Sequence, residues 1–171
     1  MKTHVIILSK FFPKNHINAG KPTDFKSSFL SKRKVHIIFT NYPLWEKRIK
    51  EVLRGEAFLS IRQWKGKPYR SSQEEITRLT AKHGVGIQKI SFYRTEWYGD
   101  DNKYHYCYNV TLDNDKEINI YNIACNDGLD PIDFIEWFDR DIGKQELDGD
   151  GRVHKELAVI PVSYTHLTLP T

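Results

Sequence analysis

Two stretches of the sequence carry residue types that could do chemistry, and the first is residues 62–70, RQWKGKPYR. Four cations alternate there with two aromatic side chains around a glycine and a proline. Cations follow phosphates and the faces of Trp and Tyr stack on bases, so the composition suits single-stranded or flipped nucleotides. The alternative is a strand end whose Trp packs on the core, with solvated lysines around it. The candidate ligand-binding residues are Arg62, Trp64, Lys67, Tyr69 and Arg70.

The second stretch, SKRKVHIIFTNY at residues 31–42, sets three basic residues against an apolar run, with Lys34 at the junction. Three interpretations are open for it: a nucleic-acid patch, a catalytic lysine beside a strand, or a charged helix end before a buried strand. The stretch alone does not separate them, because basic residues at a helix end are also solvated without any function.

Other chemical signatures are absent from the sequence. Residues 146–157 imitate a calcium loop, but Leu157 stands where the bidentate glutamate belongs, and turn chemistry explains Asp148 and Asp150 better. The seven histidines have no His-x-x-x-His spacing, and no four-ligand zinc pattern is present. Gly-rich phosphate loops and serine-hydrolase elbows are missing as well. We therefore predict no metal site and no cofactor.

The composition limits the class of protein. At 171 residues, 39% hydrophobic and 28% charged, the chain is expected to fold as one domain. Its net charge of +4 is compatible with a polyanionic partner such as RNA. Cys107 and Cys125 are placed on opposite faces of a predicted hairpin that turns at Asn114 and Asp115, so we expect reduced thiols. With no signal peptide and no apolar run of spanning length, we predict a cytoplasmic protein without a membrane partner.

The elements that must position these residues are many short strands and a few helices. The clearest helix covers residues 41–55, with Trp45, Ile49, Val52 and Leu53 as its buried stripe and Glu51 in solvent. Pattern and turn signals predict further helices at residues 24–34 and 131–140, the latter capped by Asp130. Strands are predicted at residues 3–9, 35–40, 56–64, 74–80, 86–96, 103–113, 116–124 and 155–160. The predicted fold is α+β, a small partly open β-barrel with two or three peripheral helices.

The last ten residues, VSYTHLTLPT, carry no charge and follow neither helical nor strand periodicity. They read as a translation of GTC TCT TAT ACA CAT CTG ACG CTG CCG ACG, a transposase adapter of sequencing libraries. We predict that residues 162–171 are a translated adapter scar and that residues 1–161 are the single domain. We expect the native chain to continue past Ile160, so that a terminal strand is missing. The alternative is a genuine Thr-rich tail.

The order of three segments resembles the ASCH family, a branch of the PUA-like β-barrel fold. The family signature reads apolar-Leu-x-Gly-x-Lys-x-x-Thr-x-Arg, and FLSKRKVHIIF matches it at Leu30 and Lys34. Lys32, Ile37 and Phe39 replace the glycine, threonine and arginine. The family continues with a Gly-acidic pair before a strand, similar to RGEAFLSI, and with an acidic loop before a helix, similar to CNDGLDPIDFIEWF. The resemblance spans residues 25–138, with residues 155–160 as the closing strand.

This resemblance implies binding of RNA or of a nucleotide-like or modified-base ligand. Some small ASCH proteins resemble amidohydrolases of N4-acetylcytidine, in which the signature lysine and threonine work with a downstream carboxylate. Lys34 matches that lysine and Asp127 matches the carboxylate, so these two are the candidate catalytic residues. Ile37 has no hydroxyl and Phe39 binds no anion, while Thr40 is expected on the opposite strand face, so catalysis is disfavoured.

We therefore expect a binder whose groove lies between Lys34 and residues 62–70. Lys34, Arg62, Lys67 and Arg70 would contact phosphate, and Trp64 or Tyr69 would stack on a base. The alternatives are an amidohydrolase of N4-acylated cytidine-type nucleosides and a non-catalytic interaction domain whose site has decayed. A filled, apolar pocket around Ile37 and Phe39 would favour decay. The sequence leaves the oligomeric state open.

Overall fold

The structure, a computed structural model, describes residues 1–113, 115–143 and 145–162. Within these ranges the chain forms eight strands, four α-helices and a single 3-10 turn. The strands are β1 (Lys2–Ile7), β2 (His36–Phe39), β3 (Ala57–Trp64), β4 (Gln73–Leu79), β5 (Gln88–Tyr98), β6 (Tyr104–Leu112), β7 (Glu117–Ile118) and β8 (Arg152–Pro161). The helices are α1 (Phe25–Leu30), α2 (Tyr42–Leu53), α3 (Ile120–Asn126) and α4 (Pro131–Ile142).

The strands are divided between two sheets. In the smaller sheet, β3 lies in the middle, parallel to β1 and antiparallel to β4. The larger sheet has the order β2-β8-β5-β6-β7 and is antiparallel throughout. The predicted α+β class is confirmed. In the described residues no strand of one sheet pairs with a strand of the other and neither sheet closes on itself, so the predicted barrel is present only as two separate sheets.

One apolar core joins the two sheets and the helices. Leu59 and Ile61 share one face of β3 and are both fully buried in this core. Ile90 and Phe92 of β5 face the same core, and Phe92 packs edge-on against Phe134 of α4 at 6.1 Å between ring centroids. The core therefore fixes α4 against the larger sheet.

Helix α2 begins where it was predicted to begin, because Asn41 accepts the backbone N–H of Leu44 and Pro43 follows. Its buried stripe differs from the prediction at two positions. Leu53 is half exposed, whereas Glu51 is buried because Lys2 and His4 of β1 donate to its carboxylate, at 3.0 and 2.7 Å. A carboxylate with two donors tolerates the burial that an unpaired one does not.

The prediction of a strand at residues 116–124 is wrong for most of its length. Only Glu117–Ile118 pairs with β6, and Ile120–Asn126 is helical. Asn119 starts this helix by accepting the backbone N–H of Tyr121 at 2.8 Å. Cys125 therefore lies on a helix instead of a hairpin strand, and both cysteines are exposed and free. Of the predicted turn, Asn114 lies outside the described residues.

The predicted adapter segment lies outside the described residues apart from Val162. Strand β8 pairs with β2 as far as Pro161, and the backbone N–H of Val162 then donates to the carbonyl of Val35 at 3.0 Å. The Val162 side chain is buried in the common core. In the ranges that the structure describes, no helix is long and apolar enough to cross a membrane.

Candidate functional site

A pocket of about 290 Å³ opens at the place where β1, β2, α1 and α4 meet, and we call it the deep pocket. Its walls are mostly apolar and aromatic, whereas its polar groups come from few positions. The aromatic walls are Phe25, Phe39, Trp137 and Phe138, and the polar lining is Ser9, Lys34, Thr40, Asp127, Arg140 and Asp141. This combination of an apolar wall and a few polar groups is typical of sites for small organic ligands, and the volume lies at the lower end of their range.

Lys34 and Asp127 form a buried ion pair in the lining of the deep pocket. The Lys34 ammonium donates to Asp127 Oδ1 and to the Asp127 backbone carbonyl, both at 2.6 Å. It also lies 4.3 Å from the centroid of the Phe25 ring. Each side chain keeps only a few per cent of its accessible surface. Asp127 Oδ2, in contrast, makes no hydrogen bond with the described residues, so it can accept one from a ligand.

Burial sets the protonation behaviour of this pair. Desolvation lowers the pKa of Lys34, although the Asp127 charge opposes the shift. Desolvation raises the pKa of Asp127 to about 6, and the Lys34 charge limits that rise. As the pH falls through about 6, the Asp127 carboxyl is protonated, and Lys34 then loses the negative charge that opposes the lowering of its pKa.

Local backbone geometry holds the pair together. The segment before β2 is tied to the end of α1, because the Lys34 backbone N–H donates to the Ser28 carbonyl at 2.9 Å. Asp127 ends α3, and Gly128 follows with φ of +80°. A Cβ at Gly128 would lie 3.3 Å from Lys34 Cβ, so glycine suits both the left-handed conformation and the close approach of the lysine stem.

His36 is the next residue whose side chain is buried beside the pair. Its Nε2 lies 3.2 Å from the Ile123 carbonyl of α3. Burial, and after it the Lys34 charge, lowers the pKa of His36 to about 3. The ring is therefore neutral across the physiological range, where it joins β2 to α3.

Two of the three replaced signature positions, Ile37 and Phe39, line the deep pocket, and Lys32 does not. Phe39 also stacks on Trp45, with 4.2 Å between ring centroids. Thr40 lines the same pocket, and so does Ile38, so residues of both strand faces contribute to its wall. Two hydroxyls, those of Thr40 and Ser9, thus share the pocket with Lys34.

A second, larger pocket of about 560 Å³ adjoins the first, and we call it the aromatic groove. Both pockets are lined by Ile7 and Ser9 at the end of β1. Trp64 and Tyr69 lie together in the groove, with 5.3 Å between ring centroids and an interplanar angle of 51°. The remaining lining is Lys10, Phe11, Phe12, Pro13, Lys14, Gly66, Pro68 and Gln73.

The predicted cations of residues 62–70 differ in their surroundings. Arg62 is held by neighbouring side chains, since its Nε donates to Ser60 at 2.8 Å and its Nη2 lies 3.7 Å from Glu75. Lys67 and Arg70 are exposed, and neither forms a side-chain ion pair within the described residues. Lys34, in contrast, is almost fully buried and is paired with Asp127 in the lining of the deep pocket.

Several lining residues were not among the predicted site residues. Phe25 and Trp137 lie on α1 and α4, and Lys10 and Lys14 lie on the loop after β1. Arg140 and Asp141, at the end of α4, form a partly exposed pair at 3.7 Å. The sequence did contain a signal for Lys10 and Lys14, because they lie in a loop rich in Pro, Gly and Asn, where a cation has no packing role. The sequence contained no such signal for Phe25 and Trp137, since their helical spacing is that of ordinary core residues.

No family model, no curated protein and no solved structure matches this chain. Within the parts of the chain that the structure describes, no three His, Cys, Asp or Glu residues are grouped so that they could hold a metal ion.

Proposed function

We propose that this chain binds RNA or a nucleotide-like ligand across the deep pocket and the aromatic groove, as a PUA-like domain of the ASCH type. The observation that carries the proposal is that the two pockets adjoin at Ile7 and Ser9. One pocket has the size and aromatic walls that suit a single base. The other offers the faces of Trp64 and Tyr69 to a neighbouring base.

The geometry also suggests how the roles are divided. Lys34 is already neutralised by Asp127, so we assign the pair to hydrogen bonding with a base edge. Phosphate contacts then belong to the exposed cations around the groove, Lys67 and Arg70, together with Lys10 and Lys14. A base edge that donates to Asp127 Oδ2 would satisfy the oxygen of this carboxylate that has no partner among the described residues.

The proposed phosphate contacts are tested by measuring the affinity for a short single-stranded RNA at several salt concentrations. We expect log K to fall linearly with log salt concentration, and Lys67→Ala with Arg70→Ala to make the slope shallower. Lys47→Ala on the exposed side of α2 is the matched control and should leave the slope unchanged. A salt-independent affinity would contradict phosphate contact.

Stacking is tested by Trp64→Ala. Stacking of one base contributes about 1–3 kcal/mol, so we expect the affinity for RNA to fall about 5- to 150-fold. Trp97→Ala removes another partly exposed tryptophan, on the β5–β6 hairpin, and should have little effect. An equal effect of both substitutions would contradict a stacking role for the groove.

The contact between Lys34 and Asp127 favours a second candidate, an amidohydrolase of N4-acylated cytidine-type nucleosides. Lys34 could accept a proton from the attacking water, or from the Thr40 or Ser9 hydroxyl, and Asp127 could pass a proton to the amine as the acyl C–N bond breaks. If a hydroxyl attacks, water then hydrolyses the resulting ester. Incubation with N4-acetylcytidine distinguishes the candidates, because hydrolysis releases cytidine and acetate. Turnover that disappears in Lys34→Met and Asp127→Asn would replace the binding proposal.

A decayed site is the third alternative, and the open pocket is an argument against it. Decay would be favoured if side chains filled the space around Ile37 and Phe39. Both residues line a pocket of about 290 Å³ instead. A space of this size next to a buried ion pair suits a retained ligand better than a packed core does.

A further inference from the structure

Part of the outer edge of β6 has no neighbouring strand. On this side of β6, β7 pairs only with Val110 and Thr111, so Tyr104, Tyr106 and Tyr108 lie beyond its reach. On the other side β6 pairs with β5 along its whole length, from Tyr104 to Leu112. The β5–β6 hairpin therefore extends past β7 with one edge uncovered by any described strand.

The free edge presents backbone groups that can form hydrogen bonds. The Leu112 N–H donates to the Lys116 carbonyl at 2.8 Å, toward the β7 side. Alternate residues of a strand direct their backbone groups to the same side, so those of Tyr104, Tyr106 and Tyr108 point that way as well. Among the described residues, no backbone group bonds to Tyr104 or Tyr106 from that side. Such an edge is a template for another strand.

The side chains of this hairpin end are unusually aromatic and exposed. Tyr104 is 67% exposed and Tyr106 54%, while Trp97 and Tyr98 on β5 are 47% and 58% exposed. Natural edge strands are usually protected by Lys, Pro or a bulge. Residues 104–112 contain no charged residue and no proline, so none of these devices protects β6.

Carboxylates flank the neutral edge at both ends. Asp100 and Asp101 lie at the hairpin tip, and Asp113, Asp115 and Glu117 lie at the other end, all of them exposed. Residues 96–117 hold six acidic side chains against two lysines, in a chain whose net charge is +4. A second copy paired antiparallel would bring the acidic tip of one molecule next to the acidic base of the other, which disfavours self-pairing.

We propose that the edge of β6 at Tyr104 and Tyr106 binds an extended peptide segment of a partner protein by strand addition. The segment has an apolar, β-branched or aromatic centre and Lys or Arg at both ends. Its backbone bonds to the free groups of β6, its central side chains contact the exposed aromatic residues, and its cations face the flanking carboxylates. This site is separate from the two pockets and does not depend on the nucleotide proposal.

Titration of the full chain with the synthetic peptide KKVTVYVKK, followed by amide NMR and hydrogen exchange, tests the site. We expect the peptide to slow exchange of the Tyr104 and Tyr106 amides at least tenfold. The acid-flanked peptide EEVTVYVEE should bind at least tenfold more weakly. Equal binding of the two peptides, no binding of either, or shifts confined to residues outside β5 and β6 would overturn the proposal.

Two variants separate strand addition from adventitious binding. Tyr106→Pro removes an outward N–H that β5 does not use, so it should fold and bind KKVTVYVKK at least tenfold more weakly. Tyr106→Val keeps the N–H and should bind within threefold of the wild type. If Tyr106→Pro fails to fold, Asp100→Lys with Asp113→Lys should weaken the same peptide at least tenfold. If the protein without peptide forms a dimer and Tyr106→Pro dissociates it, the edge of β6 binds a second copy of this chain, and the proposal of a partner peptide is wrong.

Discussion

Lys34 and Asp127 stabilise each other inside a pocket that would exclude either one alone. Both side chains are almost fully buried, and the ammonium makes two 2.6 Å contacts to Asp127. The loss of one partner leaves an uncompensated buried charge, whereas the loss of both leaves an apolar cavity wall. The presence of such a pair therefore does not imply a more stable fold than an apolar pair would give. It does place polar groups where a ligand in the pocket can form hydrogen bonds with them.

We predict that Lys34→Met and Asp127→Leu each lower the free energy of unfolding by about 3–5 kcal/mol at pH 7. The double variant should lose clearly less than the sum, because neither charge is then stranded. Urea denaturation of the four proteins measures this coupling. Ligand binding should be lost in all three variants, including the stable double variant. Additive losses of stability would show that the two groups do not interact.

His36 should make the protein sensitive to acid. Its pKa is lowered to about 3 in the folded state, so the unfolded chain binds the extra proton between about pH 6.5 and pH 3. Stability from the neutral ring is complete above pH 6.5 and is lost as the pH falls, by at most about 1.4 kcal/mol per pH unit. Asp127 titrates in part of this window with the opposite sign, because its folded-state pKa is raised.

The comparison of His36→Gln with the wild type isolates this effect. At pH 7 we expect His36→Gln to be less stable than the wild type, because glutamine packs less well in the space of the buried ring. The difference in unfolding free energy should narrow or reverse as the pH falls to 4. His154→Gln, at an exposed position on β8, is the control and should follow the wild-type profile. Unfolding free energies from urea titrations at several pH values give the result. Parallel profiles for His36→Gln and wild type would contradict a neutral buried ring.

At the scale of elements, the helix caps and the alternation of strand faces could be predicted from the sequence. The positions where the chain changes from strand to helix could not. Asn41 and Asp130 start their helices as predicted, because a side-chain acceptor at the N-cap is a local signal. Residues 118–124 satisfy both periods, since Ile118 and Ile120 alternate as in a strand while Ile120, Ile123 and Ala124 share a helix face. The helix is favoured because it buries Ile123 and Ala124 in the core. The core residues that they contact are distant in the sequence, so a local pattern does not reveal this preference.

Helix α4 gives a prediction at this scale, because it carries Trp137, Phe138 and Arg140 into the deep pocket. Its N-cap Asp130 accepts the backbone N–H of Asp133 at 2.8 Å. Asp130→Ala should therefore cost about 1 kcal/mol of stability. Asp130→Asn keeps an acceptor and should remain within a few tenths of the wild type. Thermal or urea unfolding measures the difference, and equal losses in both variants would show that charge and not capping matters.

At the scale of the whole molecule, the site depends on long-range pairings. Lys34 and Asp127 are 93 residues apart, and their contact could be expected only from the order of segments in the family that the sequence resembles. The adjacency of the two pockets was beyond prediction in this detail. It depends on β1, whose parallel pairing with β3 sets Ile7 opposite Arg62 and so brings Ser9 between Trp64 and the deep pocket. Parallel partners are chosen by the closure of the core and not by a local turn.

The single core that makes this arrangement possible also predicts how the molecule unfolds. Leu59 of the smaller sheet and Leu157 of the larger one are both fully buried in that core. Because one apolar cluster spans both sheets, Leu59→Ala and Leu157→Ala should each cost about 2–5 kcal/mol and shift the same transition. Far-UV circular dichroism and tryptophan fluorescence should give coincident urea curves in both variants. If Leu59→Ala instead separated the curves, the smaller sheet would unfold on its own, and the pocket that depends on β1 would open before the larger sheet is lost.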